Sequence, residues 1–417
     1  MAPEVILGID FGTSYTSGGI LVGDRVELIQ DNGDVVIPSV VYVPERGALE
    51  IGRRAQMRML NDPTGVIRSV KRVLGVVPSS PLVRHFAASA TFRVENTGDR
   101  LTFKLRSAQY APEQIAGAIL ARVRELAETR FGGRISKAVI TASAAAPPGY
   151  RDALTRAGKI AHLDVLEVIP EPIAGALAVG LHAELAERKL VVCDFGGGTF
   201  DVSALVQSGL RFTPVATCGD QFLGGDDLDN EIAEAIAGLI VKRTRYDVHK
   251  DAVRWSELLF RCEMAKRQLT AATEVPFSMR EAYLENGKPH NLDFLLERSW
   301  VEARWEPLFA RAVAVIEEAL RRAGWRNDQV DHIALIGGSA LVPMFHRCVE
   351  SVFPGQPVLL SPRADVAVAL GAVLLTARFG SEPRAVPVLE IPRQRAISAR
   401  AYTATRRAQD SAPEKRR

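Results

Sequence analysis

Hydrophobic positions follow two rhythms along the chain. Near the N-terminus they form short runs of strand length. Residues 5–9 are apolar, and Asp10-Phe11-Gly12-Thr13-Ser14 follows with turn chemistry. Residues 20–22 and 26–29 continue as strands, with Gly23-Asp24 between them as a hairpin turn. Residues 35–43 predict a further strand, broken by Pro38 at an edge or a bulge. The period then lengthens. Pro112 opens a helical pattern with Ile115, Ile119, Leu120, Val123 and Leu126 on one face, and Gly132-Gly133 stops it. A strand at 138–141, a helix at 150–161, a strand at 165–169 and a helix at 172–181 come next. Such alternation predicts an α/β sheet.

The second part repeats the opening. Residues 190–193 form a buried-type strand that runs into Asp194-Phe195-Gly196-Gly197-Gly198-Thr199. Strands follow at 202–206 and 210–216, then helices at 227–243, 255–270 and 299–323. A strand at 332–336 ends in Gly337-Gly338-Ser339, and 365–378 reads as a last apolar helix. Asp-Phe-Gly at the end of a strand thus occurs twice, 184 residues apart. Each copy is followed by a hydroxyl residue and a returning strand. The pattern predicts a duplicated domain with a cleft between its halves, not a solenoid of short repeats.

Composition narrows the class. The chain has 417 residues, 47% hydrophobic and 24% charged, the profile of an ordinary globular protein. That length predicts two lobes or more. No apolar run approaches the roughly 18 residues that span a bilayer, and residues 1–8 lack the pattern of a signal peptide. The four cysteines are scattered, with no C-x-x-C pair. They fit a reducing cytoplasm, and Cys193 and Cys262 read as small core residues.

The net charge of +3 conceals an asymmetry. Residues 381–417 hold nine basic and four acidic side chains, so this tail is basic and the remainder mildly acidic. Tyr402 is its single aromatic. We expect a solvated, disordered end there; contact with nucleic acid or an anionic membrane is the less favoured reading.

Glycine turns let backbone N–H groups approach an anion closely. Gly12, Thr13 and Ser14 form one such turn, and Gly196, Gly197, Gly198 and Thr199 another. Either alone is equally a hairpin that needs positive φ. A matched pair predicts a grip on a polyphosphate from two sides. The aspartate at each strand end supplies oxygen ligands for a divalent metal.

These residues carry a family resemblance. Residues 8–15 resemble the first phosphate loop of the DnaK-type heat-shock-protein-70 chaperones, in the actin/hexokinase superfamily. Residues 193–202 resemble the second loop, and the block at 219–230, with Gly224 and Gly225, resembles the next. Residues 262–270 resemble the adenosine helix and 336–343 the last nucleotide loop. The blocks run in family order from about residue 5 to 378.

The resemblance implies an actin-like ATPase fold, α/β, with two lobes each of two subdomains around a central nucleotide cleft. The expected lobes are 1–182 and 183–380, with 381–417 as the tail and no peptide-binding domain. ATP or ADP, Mg²⁺ and K⁺ are the implied cofactors. Asp10 and Asp194 would hold Mg²⁺ through its waters. Thr13, Ser14 and Tyr15 would contact phosphates by backbone and hydroxyl, with Gly196, Gly197, Gly198 and Thr199 opposite. Lys71 resembles the catalytic lysine, and Glu171 and Asp201 the carboxylates that place the attacking water. Without the resemblance Lys71 is one surface lysine, and Glu171 a helix N-terminal acid.

Glu263, Lys266, Arg267 and Thr270 fall on one helix face. They read as a ribose and adenine cradle or as a salt-bridged surface, and the motif favours the cradle. Gly337, Gly338 and Ser339 would admit the adenosine, and Asp365 would close that region. Two positions depart from the family. Leu341 stands where an arginine packs on adenine, and Ser143 where a proline belongs to the relay toward the substrate domain.

The implied function is slow hydrolysis of Mg·ATP coupled to lobe closure, with J-domain proteins, exchange factors or an unknown protein as partners. A non-hydrolysing nucleotide sensor or scaffold, and an actin-like filament protein, are the alternatives. A small-molecule kinase would need an acceptor site, for which the sequence carries no signal.

Overall fold

In the computed structural model the described residues are 5–181, 186–361, 363–380 and 385–387, with the backbone of 394–395. Most of the basic tail lies outside them. Two sheets organise the chain. The first has the order Asp164–Pro170, Lys137–Ala142, Ile6–Phe11, Tyr15–Val22, Arg25–Leu28. Ile6–Phe11 is central: it pairs antiparallel with Tyr15–Val22 and parallel with Lys137–Ala142. The second sheet runs Arg211–Asp220, Phe200–Ser208, Arg188–Phe195, His332–Ile336, Val358–Leu360, and Gln394–Arg395 adds to its edge. Its central strand, Arg188–Phe195, has an antiparallel hairpin partner on one side and a parallel strand on the other. The repeat read from the two Asp-Phe-Gly segments is therefore a repeat of strand order.

Each sheet owns a core. Leu7, Ile9, Phe11, Ile119 and Ile140 belong to one, and Val191, Phe195, Phe200, Trp305 and Phe309 to the other. A third apolar cluster joins them. It is built on two helices, Glu171–Ala178 and Ala367–Leu375, that pack on each other. A Cβ at Gly371 would lie 1.8 Å from the Ala174 carbonyl oxygen, so only glycine permits the contact. Ala367–Leu375 also packs on the first sheet, where a Cβ at Gly8 would lie 2.4 Å from the Val373 nitrogen. Each half thus lends a helix to the other.

Several elements match the predicted pattern closely. The helix opened by Pro112 ends at Phe131, and Gly132 follows in the left-handed region. The pattern over 35–43 divides at Pro38: Ile37–Pro38 pairs with Tyr15–Val22, while Val40–Tyr42 joins a small sheet with Glu50–Ile51 and Val66–Arg68. The 172–181 pattern is shorter, Glu171–Ala178. The last helix breaks into a helical core flanked by single 3-10 turns at Ala364–Val366 and Thr376–Arg378. Among the described residues no helix is long and apolar enough to cross a membrane. Cys193, Cys218 and Cys262 are buried as free thiols.

Candidate functional site

The two Asp-Phe-Gly turns meet face to face. A Cβ at Gly197 would lie 2.2 Å from Ser14 Oγ, and one at Gly198 2.5 Å from Thr13 Cγ2. Glycine is what lets the turns approach this closely. The second turn is braced from behind. Ser339 Oγ donates to the Gly196 carbonyl at 2.7 Å, Arg72 Nη2 to the Gly198 carbonyl at 2.9 Å, and the Asp226 amide to the Gly197 carbonyl at 2.7 Å. Ser14 Oγ donates to Asp226 Oδ1 at 3.0 Å and ties the first turn to the same scaffold. A cleft of about 340 Å³ opens between them.

Its floor is charged. Val70–Val73 is a 3-10 turn entered through Ser69 at φ 57°, and this bend carries Lys71 inward. Lys71 Nζ donates to Glu171 Oε1 at 2.6 Å, across a sequence separation of 100. The pair is largely buried, with side-chain exposures of 12% and 8%. Burial opposes the Lys71 charge. The charges of Glu171 and Asp10 and the Glu171 hydrogen bond outweigh it, so the ammonium is held above the ordinary lysine range.

Acids crowd this lysine. Burial, then the Glu171 charge, pushes Asp10 up to about 7, against Lys71 and a 3.1 Å hydrogen bond from Thr141. Asp194 is pushed well above the carboxylate range by burial and by Glu171, Asp201 and Asp10. Asp201 rises to about 6 through burial and Glu171, although Ser143 and Thr199 donate to its Oδ2 at 3.0 and 3.3 Å. The floor holds more negative charge than one lysine neutralises.

The far wall is the helix Ala252–Leu269, capped by Asp251, whose side chain accepts from the Arg254 amide. Lys266 Nζ donates to Asp229 Oδ2 and to the Gly225 carbonyl, both at 2.7 Å. Burial pushes Asp229 up to about 7 despite this partner. Glu263 pairs with Arg267 at 3.1 Å and accepts from the Tyr15 hydroxyl. Arg267 lies 4.5 Å from the Tyr15 ring centroid, a cation–π stack that bridges the two halves. The hydroxyl expected to meet a phosphate is therefore engaged by Glu263. Thr270 Oγ1 donates to the Arg267 carbonyl at 2.7 Å as the helix ends.

The cleft wall gathers nearly every candidate residue: Asp10, Gly12, Thr13, Ser14 and Tyr15; Lys71 and Glu171; Asp194 with the Gly196–Thr199 turn; Gly225; Glu263, Lys266, Arg267 and Thr270; and Gly337, Gly338, Ser339 and Asp365. Two candidates stand behind the wall. Gly224 backs the second turn, where a Cβ would lie 2.5 Å from the Gly197 carbonyl. Asp201 is 4% exposed on the next strand, in register with Asp194. Leu341 lines the cleft, as do Val36, Val342 and Val368. Sequence reasoning passed over Arg72, Asp226 and Asp229. The two aspartates lie inside the glycine block at 219–230, and Arg72 adjoins Lys71; that adjacency was their one signal.

Known proteins resemble the chain over nearly all of this. The profile of the family described as Hsp70 protein matches residues 6–388. The chaperone protein DnaK of Stenotrophomonas maltophilia is 31% identical over 394 residues, 93% of this chain and 61% of that protein. The heat shock 70 kDa protein 2 of Paracoccidioides lutzii is 32% identical over 400 residues, 94% of this chain and 60% of that one. The chain spans about three fifths of the length of these relatives. With its paired sheets and central cleft it has the actin-like ATPase fold, and it belongs to the Hsp70 protein family.

Proposed function

We propose that the cleft binds ATP together with Mg²⁺ and hydrolyses it slowly to ADP and phosphate. The observation that carries this reading is the convergence of two glycine turns and one buried lysine over a floor of buried acids. Family membership supports an ATP-binding protein of the chaperone type.

The donor set fits a divalent cation. Carboxylate oxygens are hard ligands, and Asp10 and Asp194, pushed up first by burial and then by neighbouring carboxylates, would be favoured in their charged form by a cation. Among the described residues no three acidic, His or Cys side chains converge closely enough to ligate directly. That spacing suits a hydrated Mg²⁺ held by Asp10 and Asp194 through water, where it would neutralise charge on the β- and γ-phosphates.

The chain's own groups do the rest. Amides of Thr13, Ser14 and Thr199, with the Thr13 hydroxyl, hold phosphate oxygens from both sides, while the Ser14 and Thr199 hydroxyls stay with Asp226 and Asp201. Lys71 stays protonated, so it stabilises developing charge on the γ-phosphate and is not a base. Glu171 accepts a hydrogen bond from the attacking water. Asp201 stands behind Asp194, its Oδ2 held by Ser143 and Thr199. Arg267, Leu341 and Thr270 enclose the base end. Residues 1–182 and 183–380 act as lobes whose angle follows the nucleotide, read by J-domain proteins, exchange factors or another partner.

Leu341 at the base end favours a second reading, a sensor that binds nucleotide without turnover. Titration with Mg·ATP and Mg·ADP, then single-turnover phosphate release in K⁺ and in Na⁺ buffer, separates the two. Saturable binding with phosphate release supports hydrolysis. Binding without release supports the sensor, and ATP-dependent light scattering a filament. Absence of binding contradicts all three.

A further inference from the structure

Ser143 sits just past the strand Lys137–Ala142 in the first half, and Asp201 on the strand Phe200–Ser208 in the second. They are 58 residues apart in sequence, yet Ser143 Oγ donates to Asp201 Oδ2 at 3.0 Å. The hydroxyl is not free to turn elsewhere. It accepts from the Ala145 amide at 3.1 Å, which leaves its single proton for Asp201. Thr199 Oγ1 approaches the same Oδ2 at 3.3 Å. Two donors on one oxygen fix the plane of the carboxylate. Its other oxygen, Oδ1, is then set against Gly219, where a Cβ would lie 2.2 Å away and no side chain competes. That oxygen is buried and has no partner among the described residues.

We propose that Ser143 is a positioning residue: its hydroxyl ties the two halves beneath the cleft and, with Thr199, fixes the carboxylate of Asp201 directly behind Asp194. The proposal rests on the hydrolysis reading above. Ser143 itself touches neither nucleotide nor metal. Its effect passes through Asp201 and is felt in the chemical step more than in nucleotide binding.

Four variants of the full chain test this: Ser143→Ala, Ser143→Thr, Asp201→Asn and the double variant Ser143→Ala/Asp201→Asn. Each is measured for Mg·ATP binding, single-turnover hydrolysis and amide hydrogen exchange. Ser143→Ala should slow hydrolysis about tenfold, the scale of one hydrogen bond to a charged group, with binding within about twofold. Ser143→Thr should restore most of the rate. In the Asp201→Asn background Ser143→Ala should have almost no further effect. Exchange should quicken at 143–146 and 199–202 in Ser143→Ala and not in Ser143→Thr. An unchanged rate in Ser143→Ala, a loss that Ser143→Thr shares, or full additivity with Asp201→Asn overturns the positioning role. If wild type binds ATP and never hydrolyses it, the hydrolysis reading fails by itself. The exchange data then decide the tie between halves, and unchanged exchange in Ser143→Ala overturns it.

Discussion

Each half of the molecule buries one lysine against one carboxylate, and the two pairs look alike until their surroundings are compared. Lys71–Glu171 and Lys266–Asp229 are 2.6 and 2.7 Å long, and all four side chains are 12% exposed or less. Lys266 is pinned twice, by Asp229 and by the Gly225 carbonyl next to the second glycine turn. It acts as a strut. Lys71 has Glu171 as its hydrogen-bond partner, and Asp10 adds to its positive bias. It is a charge held ready over the cleft floor. The same kind of ion pair thus sits in two settings: one holds the loop in shape, and the other, on the function proposed above, stabilises charge in a reaction.

The sharpest way to break this comparison is Lys266→Ala. Removing one partner of a buried pair typically costs about 3–5 kcal/mol. We expect a loss near that size in urea unfolding, with a collapse of nucleotide affinity as the second turn loses its strut. A loss under about 1 kcal/mol would make Lys266 a surface residue in effect.

The surplus acid around Lys71 gives the next effect. Asp10 at about 7 and Asp201 at about 6 bind protons more tightly folded than unfolded, where the value is 3.8. Their contribution is present at low pH and lost as pH rises through about 6 to 7. The nucleotide-free protein should therefore gain on the order of 4 kcal/mol of stability from pH 8 to pH 5. Asp201→Asn should flatten part of that slope, and saturating Mg²⁺ most of it. A stability that rises with pH over this window contradicts the account.

The smallest effect is at the bridge between halves. Tyr15→Phe keeps the ring beneath Arg267 and removes the hydroxyl donated to Glu263. About 1 kcal/mol of closure energy is expected to go, seen as nucleotide release several-fold faster. Unchanged release would show that the stack alone holds the bridge.

Local features were legible in the sequence. The two Asp-Phe-Gly turns mark both central strands, and their surroundings mark the helix at 252–269 within three residues of its start. Small sheets were not. Arg93–Thr97 carries no buried residue to set an alternating pattern. The hairpin of Glu274–Glu285 and Lys288–Glu297 has its signal in Asn286-Gly287, at φ 52° and 75°. Pro276 within the first strand obscured it. Contacts that build the floor had no local signal at all. Lys71 meets Glu171 across 100 residues and Ser143 meets Asp201 across 58. Nothing along the chain marks such pairings, because sheet order brings them together. Family resemblance supplied Lys71, Glu171 and Asp201 as candidates; it did not supply Asp229 as the partner of Lys266, or Ser143 as a donor.

The central claim is that Lys71 supplies charge to a reaction and not shape to a loop. Single-turnover hydrolysis of Mg·ATP by Lys71→Ala, with Mg·ATP affinity measured on the same preparation, tests it most directly. The account predicts affinity within a few-fold of wild type and a rate about 100- to 1,000-fold lower, the scale of losing one preorganised charge-stabilising group. A variant that binds and hydrolyses like wild type would contradict it, and so would one whose rate falls only in proportion to its affinity.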